Sequence, residues 1–381
     1  MLSGKTLLVS VVLTSWLTLF MTGCSKMTGS PTAKVLSPTA AGPFQQNVHL
    51  GRGVNLGNAL EAPREGEWGV TLKEEYFHLI KEAGFDSVRI PIRWSAHAAP
   101  TEPYTIDPSF FERVDWAVDQ AFSRGLLVVI NMHHYEEIMQ DPSGHKERFL
   151  ALWEQIADHY QGYPADLMFE ALNEPHDRLT SGVWNSLLAE AIRTIRQTNP
   201  DRNIIAGPAD WNGIHALNRL ELPAEDQHII VTVHYYDPFH FTHQGAEWVS
   251  GSGAWLGTTW QGTASEENAI ISDLDLVARW AEAHHRPIYL GEFGAYSKAD
   301  MTSRALWTGF VARQAEGRGM SWAYWEFCAG FGVYDKSRKA WNQPLLDVLT
   351  QQLRNPQGDV LRKVQIGIGN IRICVGVLVS V

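Results

Sequence analysis

An α/β fold closed as a (β/α)8 barrel is what this sequence predicts, and three observations predict it. From residue 48 onward, short β-like runs alternate with amphipathic helical segments, the runs number eight, and polar residues gather at the C-terminal ends of those runs. Strict alternation implies parallel strands joined by right-handed crossovers, and eight such units close on themselves. The runner-up, a doubly wound open sheet, lacks its signature, because no G-x-G-x-x-G turn follows the first run.

Taken in order, the candidate strands are "HLGRGVNL", "FDSVRIPI", "LLVVINM", "DLMFEAL", "RNIIAG", "HIIVTVHYY", "PIYLGEF" and "MSWAYWEF". They read as near-continuous apolar runs, as burial on both faces demands. Between them, segments such as "LKEEYFHLIKEAG", "SFFERVDWAVDQAFSRG", "KERFLALWEQIADHY" and "WNSLLAEAIRTIRQTN" carry apolar residues at helical spacing. Gly84, Gly125 and Gly317 fall where helix C-caps are expected.

Composition narrows the function classes. A chain of 381 residues with 45% apolar content buries a large core, and the net charge of −11 comes with no basic run. Nucleic acid is therefore not an expected partner, since a phosphate backbone is gripped by clustered Lys and Arg. Cys24, Cys328 and Cys374 are widely separated and show no paired metal spacing, so neither a disulfide framework nor a zinc site is predicted, and no cofactor is expected. Cys328 reads as an inert buried thiol.

The termini lie outside the barrel, whose predicted extent is 48–353. Residues 1–23 read as a signal peptide, with Lys5 ahead of the apolar stretch "LLVSVVLTSWLTLFM", which falls short of the roughly 20 residues a spanning helix needs. "MTGCSK" resembles a bacterial lipoprotein processing box, which implies lipidation of Cys24 and, through Ser25, an outer-membrane destination; ordinary cleavage and secretion is the alternative. Residues 24–47 are rich in Ser, Thr, Pro and Ala and read as a spacer. Residues 354–381 include "VQIGIGNIRICVGVLVSV", which the barrel does not require; a small accessory strand pair and a shifted reading frame or appended segment are the two readings, and no role is assigned.

In a barrel all C-terminal strand ends share one face, so residues far apart in sequence converge on one cleft. Glu174 and Glu292 would lie there after the fourth and on the seventh strand. Two carboxylates in such a cleft suggest glycosidic-bond hydrolysis, one as acid and one as nucleophile. Arg89 would keep Glu292 ionised, while burial and a neighbouring anion would keep Glu174 protonated. His234 and Tyr236, two apart on one strand, would face Glu174 and Glu292 respectively, and Asn173 would grip a sugar 2-hydroxyl. His133 and His134 invite a metal reading, but adjacent residues on a strand point opposite ways and no H-x-H or H-E-x-x-H accompanies them, so no metal is predicted. The Gly-rich loop holding Trp248, Trp255 and Trp260 is expected to form a cleft wall.

The segments "RGVNLGNALE", "SVRIPIRW", "NMHHYE", "LNEP", "VTVHYYDPF", "LGEFGAY" and "AYWEFCAGFGVYD" together resemble glycoside hydrolase family 5, over roughly residues 48–350. The resemblance implies Glu174 as acid/base and Glu292 as nucleophile, with Arg89, His133, Asn173, His234, Tyr236 and Trp325 as supporting residues. It further implies that Asn58, Glu61, His134, Trp211, His243 and Trp248 bind substrate. "NALE" and "FTHQGAEW" are most similar to those of bacterial endoglucanases, some of which accept mannan. The expectation is a monomer acting on β-1,4-linked glucan, with a mannan-directed enzyme or a non-catalytic carbohydrate-binding lipoprotein as alternatives.

Overall fold

The computed structural model describes residues 41–350 together with two strands, 360–368 and 371–379. The predicted signal peptide, Cys24 and the spacer as far as residue 40 lie outside the described residues. In chain order the elements are α1 (Pro43–Leu50), β1 (Arg52–Asn55), α2 (Glu74–Glu82), β2 (Ser87–Ile90), α3 (Pro108–Phe122), β3 (Leu127–Asn131), α4 (Glu136–Gln140), α5 (Pro142–His159) and β4 (Leu167–Glu170). Then follow α6 (Ser181–Arg196), β5 (Ile204–Ala206), β6 (Ile229–Tyr235), α7 (Phe239–Thr242), α8 (Ala264–His284), β7 (Ile288–Phe293), α9 (Met301–Gly317), β8 (Ser321–Tyr324), the short pair β9 (Tyr334–Asp335) and β10 (Ala340–Trp341), and α10 (Gln343–Thr350). Strands β1 to β8 pair in sequence order, all parallel, and β8 returns to β1, so the predicted barrel is closed.

The period of two along each strand divides its side chains between two environments. Val88, Ile90, Val128, Ile130, Leu167, Phe169, Ile229, Val231 and Trp322 join the large core beneath the helices. The alternate positions fill the barrel interior in layers: Val129, Met168, Ile205, Ile230, Tyr289 and Ala323 form an apolar lower layer. Above it on the same inward positions stand Asn55, Arg89, Asn131, Glu170 and Thr232, all fully buried. The strands are thus not uniformly apolar, and the polar upper layer is the floor on which the site stands.

The entry to the barrel departs from expectation. Residues 43–50, read as the end of the spacer and the start of the first strand, form α1, with Pro43 at its first turn. Its Leu50 packs into the lower apolar layer and closes that end of the barrel. Asn47 accepts from the Ser321 hydroxyl at 2.6 Å and Gln46 donates to the Ala165 carbonyl at 3.3 Å, so the helix is tied to the strands it covers.

Helix starts carry ordinary signals. Asp107, Asp141 and Asp300 accept from the backbone N–H groups of Ser109, Gly144 and Ser303, and Thr263 with Glu266 forms a capping box for α8. Gly84 and Gly125 take the left-handed conformation past α2 and α3 as expected, but at the end of α9 that role falls to Gly319, two residues beyond Gly317. In the tail, Val360–Ile368 and Ile371–Val379 form an antiparallel hairpin, β11 and β12, which is a sheet of its own.

Candidate active site

The strand ends place the two carboxyl groups face to face. Glu292 lies within β7, and Glu174 lies on the loop after β4, in a left-handed backbone conformation (φ 47°) that aims its side chain into the cleft. His176 donates to the Glu174 carbonyl oxygen at 2.6 Å and fixes that turn. A Glu174 oxygen, a Glu292 oxygen and a ring nitrogen of His234 all lie within 4.8 Å of one another.

The two carboxyl groups sit in different surroundings. Both oxygens of Glu292 are held as acceptors: Arg89 Nη1 donates to Oε1 at 2.8 Å and the Tyr236 hydroxyl donates to Oε2 at 2.9 Å. Burial, with the neighbouring Glu174, pushes its carboxyl up, and His234, Arg89 and the Tyr236 hydrogen bond offset that only in part, so it stays above the ordinary carboxylate value. Glu174, whose side chain is 25% exposed, has one such partner, His234 Nδ1 at 2.7 Å. Burial pushes the Glu174 carboxyl up to about 7, against the opposing pull of Arg89. Burial also lowers His234 to about 4, so that imidazole is neutral and its Nδ1–H donates to Glu174.

Arg89 is the hub beneath both. Besides Glu292 it donates to Asn55 and Asn173 at 2.7 Å, and to Glu170 through Nε at 2.6 Å and Nη2 at 2.7 Å. Glu170 is absent from the expected set; a glutamate inside an apolar run is costly unless paired, and that was the available signal. Asn131, also not anticipated, donates to His133 Nδ1 at 3.1 Å.

One wall is aromatic. The Trp325 ring stacks over His133 at 5.9 Å, and Gly57 leaves room for it, since a Cβ there would approach the indole to 3.1 Å. His243, buried, packs edge-on to Tyr236 at 4.9 Å, and Trp248 projects beyond it, 60% exposed. Tyr296 supports Trp248 edge-on at 4.9 Å and donates its hydroxyl to Glu247 at 2.6 Å. Across the cleft, Trp211 (52% exposed) stacks on His176, and His134 meets Trp68 edge-on at 5.3 Å.

Three expectations need correction. His133 and His134 do not point opposite ways: β3 ends at Asn131, His134 turns at φ 48°, and the two rings lie 4.6 Å apart. Trp260 is no cleft wall but is buried against Phe310, while Trp255 stacks on His240. Glu61 is not on an open surface; it is 1% exposed and accepts from the backbone N–H groups of Asn58 and Ala59, bracing the loop that carries Asn58. Glu326 does the same after β8, accepting from Cys328, Ala329 and Phe331 N–H groups. Cys328 is buried as expected, its thiol pushed up to about 12 by desolvation.

Among the described residues, Glu174, His234 and Glu292 are also the one group of three His, Cys, Asp or Glu donors close enough to share a metal ion. A cation there would displace the hydrogen bonds from His234 and Tyr236 and face the Arg89 guanidinium, 2.8 Å from Glu292.

Fold and site together define a barrel with an acid–carboxylate pair at the C-terminal strand ends, the architecture of a glycoside hydrolase. The profile of the cellulase family (glycosyl hydrolase family 5) matches residues 49–330, and the chain belongs to that family. It is 39% identical to Endoglucanase H of Acetivibrio thermocellus over 81% of its own length, and spans 33% of that longer protein. Endoglucanase B of Clostridium cellulovorans is 28% identical, covering 90% of this chain and 81% of that one. Among solved structures, Cel5A of Thermotoga maritima is 57% identical with a TM-score of 0.80, covering 81% of this chain and 99% of that chain, and it has been solved with cellobiose and with mannotriose.

Proposed function

We propose that the chain is a retaining, endo-acting hydrolase of β-1,4-glucan, with Glu174 as acid/base and Glu292 as nucleophile. The observation that carries the reading is that an oxygen of Glu174 and an oxygen of Glu292 lie within 4.8 Å of each other, short of the separation that lodges an attacking water molecule between the two groups. A retaining pair stands about 5–5.5 Å apart, whereas an inverting pair needs about 6.5–9.5 Å to admit a water molecule.

In the first step Glu292 attacks the anomeric carbon while Glu174 gives its proton to the departing glycosidic oxygen. The C–O bond breaks and a glycosyl ester of Glu292 forms. In the second, Glu174, now a carboxylate, takes a proton from water, the resulting hydroxide attacks the same carbon, and Glu292 is released. Arg89 and Tyr236 hold Glu292 as an oriented anion, and His234 holds Glu174. Asn173, buried beside Arg89, is suited to a sugar 2-hydroxyl. His133 and Trp325 form the platform beneath the cleaved sugar, and Asn58, His134, Trp211, His243 and Trp248 line the outer sugar positions, with Glu61 acting through the loop it braces.

The relatives named above are endoglucanases, which supports glucan as substrate. The mannotriose complex of Thermotoga maritima Cel5A supports a second activity on mannan, whose sugars differ from glucose in the orientation of one hydroxyl. The leader and Cys24 support export with a lipid on that cysteine, checked by the intact mass of the membrane-extracted protein.

The test is hydrolysis of carboxymethyl cellulose and of a mannan by the parent and by Glu174→Ala and Glu292→Gln. Both variants lose polysaccharide hydrolysis, by about 10²-fold or more for the acid. Glu174→Ala still releases an aryl leaving group that needs no proton, whereas Glu292→Gln does not. Equal loss of aryl release in both variants would contradict the assignment, and the ratio of parent rates decides between glucan and mannan.

A further inference from the structure

We propose, resting on the functional reading above, that Glu170 is a positioning residue for the reaction: it locks the Arg89 guanidinium toward Glu292 and takes up most of its charge, leaving Glu292 a free nucleophile. A guanidinium has five N–H donors, and Arg89 spends all five on four side chains. Two go to Glu170, through Nε and Nη2 at 2.6 and 2.7 Å, in the fork geometry that fixes both the plane and the rotation of the group. The other Nη2 proton goes to Asn173, and those of Nη1 are shared between Asn55 and Glu292. Glu292 therefore receives one bond at 2.8 Å from a cation already engaged twice by another carboxylate.

The electrostatics agree with the geometry. Arg89 and Glu170 are both fully buried, so no water shares the charge. Burial works against the Arg89 cation, and the charge and hydrogen bonds of Glu170 followed by the charge of Glu292 together more than reverse that. Facing Glu292 are Arg89 from β2, Glu174 from the β4 loop, His234 from β6 and Tyr236 just beyond it. Facing Arg89 are Glu170 from β4, His133 from beyond β3, and Tyr289 and Glu292 from β7. Of these, Glu170 is the anion that competes with Glu292 for Arg89 from a fully buried position, and its charge also raises Glu174 and His234. A purely structural counter-ion would affect folding but not the proton affinity of the nucleophile.

The test compares the full-length parent with Glu170→Gln and Glu170→Asp, reading thermal stability, kcat and KM on a soluble β-glucan, and the pH profile of kcat/KM on an aryl cellobioside. In Glu170→Gln the Arg89 charge falls on Glu292. The acid limb moves down by about one pH unit, and kcat falls about tenfold or more with KM within about twofold. Glu170→Asp keeps the anion but pulls the fork back by one methylene, so kcat falls while the acid limb stays at the parent position. A folded Glu170→Gln with the parent's acid limb overturns the proposal. So does Glu170→Asp with the parent's kcat, an outcome that holds even where Glu170→Gln fails to fold. A parent that hydrolyses neither substrate overturns the functional reading instead.

Discussion

Glu174 combines partial exposure with a strongly perturbed carboxyl, and that combination sets the pH response. With its carboxyl pushed up to about 7, it is protonated below that value and ionised above it. An acid must hold its proton to act, so kcat/KM on glucan falls as pH rises through about 7, and the Glu174→Ala variant on an activated aryl substrate loses that basic limb. A pH–rate profile of both checks this. The carboxyl pair and its Arg, His and Tyr partners were legible in the sequence because each sits at a strand end where topology forces convergence. Glu170 was not, because a charged residue within "DLMFE" was absorbed into an apolar run, although its burial required a partner. Glu61 was misjudged for the opposite reason: a carboxylate near the cleft was assigned to sugar, whereas backbone N–H groups of its own loop claim it.

At the scale of elements, strand and helix order followed from hydrophobic periodicity, and the exceptions were places where tertiary contacts overrule local pattern. The helix α1 was hidden because its eight residues lack a long apolar stripe; what they offer is a plug for the barrel base. Replacing Leu50 with Ala leaves a cavity there and lowers stability by about 2–5 kcal/mol in urea unfolding, with activity retained in the folded fraction. Trp260 lay in a loop that reads as one unit, but its indole faces the helix layer, a choice that loop composition does not encode. In the same loop, Trp248 is propped by Tyr296, whose hydroxyl is tied to Glu247. Tyr296→Phe removes the tie and is expected to raise KM for long glucans severalfold with kcat unchanged, as steady-state kinetics would reveal.

For the molecule as a whole, closure of the barrel was the most legible property, since eight alternating units leave few other topologies. The tail was the least, and its hairpin pairs with itself in a sheet apart from the barrel. Deleting residues 356–381 is expected to leave glucan hydrolysis and the melting temperature unchanged; a drop in either would show that the hairpin packs on the barrel. The layered interior has one more consequence. Burial holds the His133 and His234 rings neutral, so beneath the cleft one guanidinium, Arg89, is shared between two carboxyl groups, Glu170 and Glu292, and the floor is short of positive charge. The cleft is in effect a charge filter: a sugar ring gathering positive charge at its anomeric carbon, or a protonated nitrogen mimic of it, is drawn in. A ring carrying a carboxymethyl group is expected to be repelled, so that a substituted cellulose would be cut within its bare stretches, an outcome that sizing the released fragments checks.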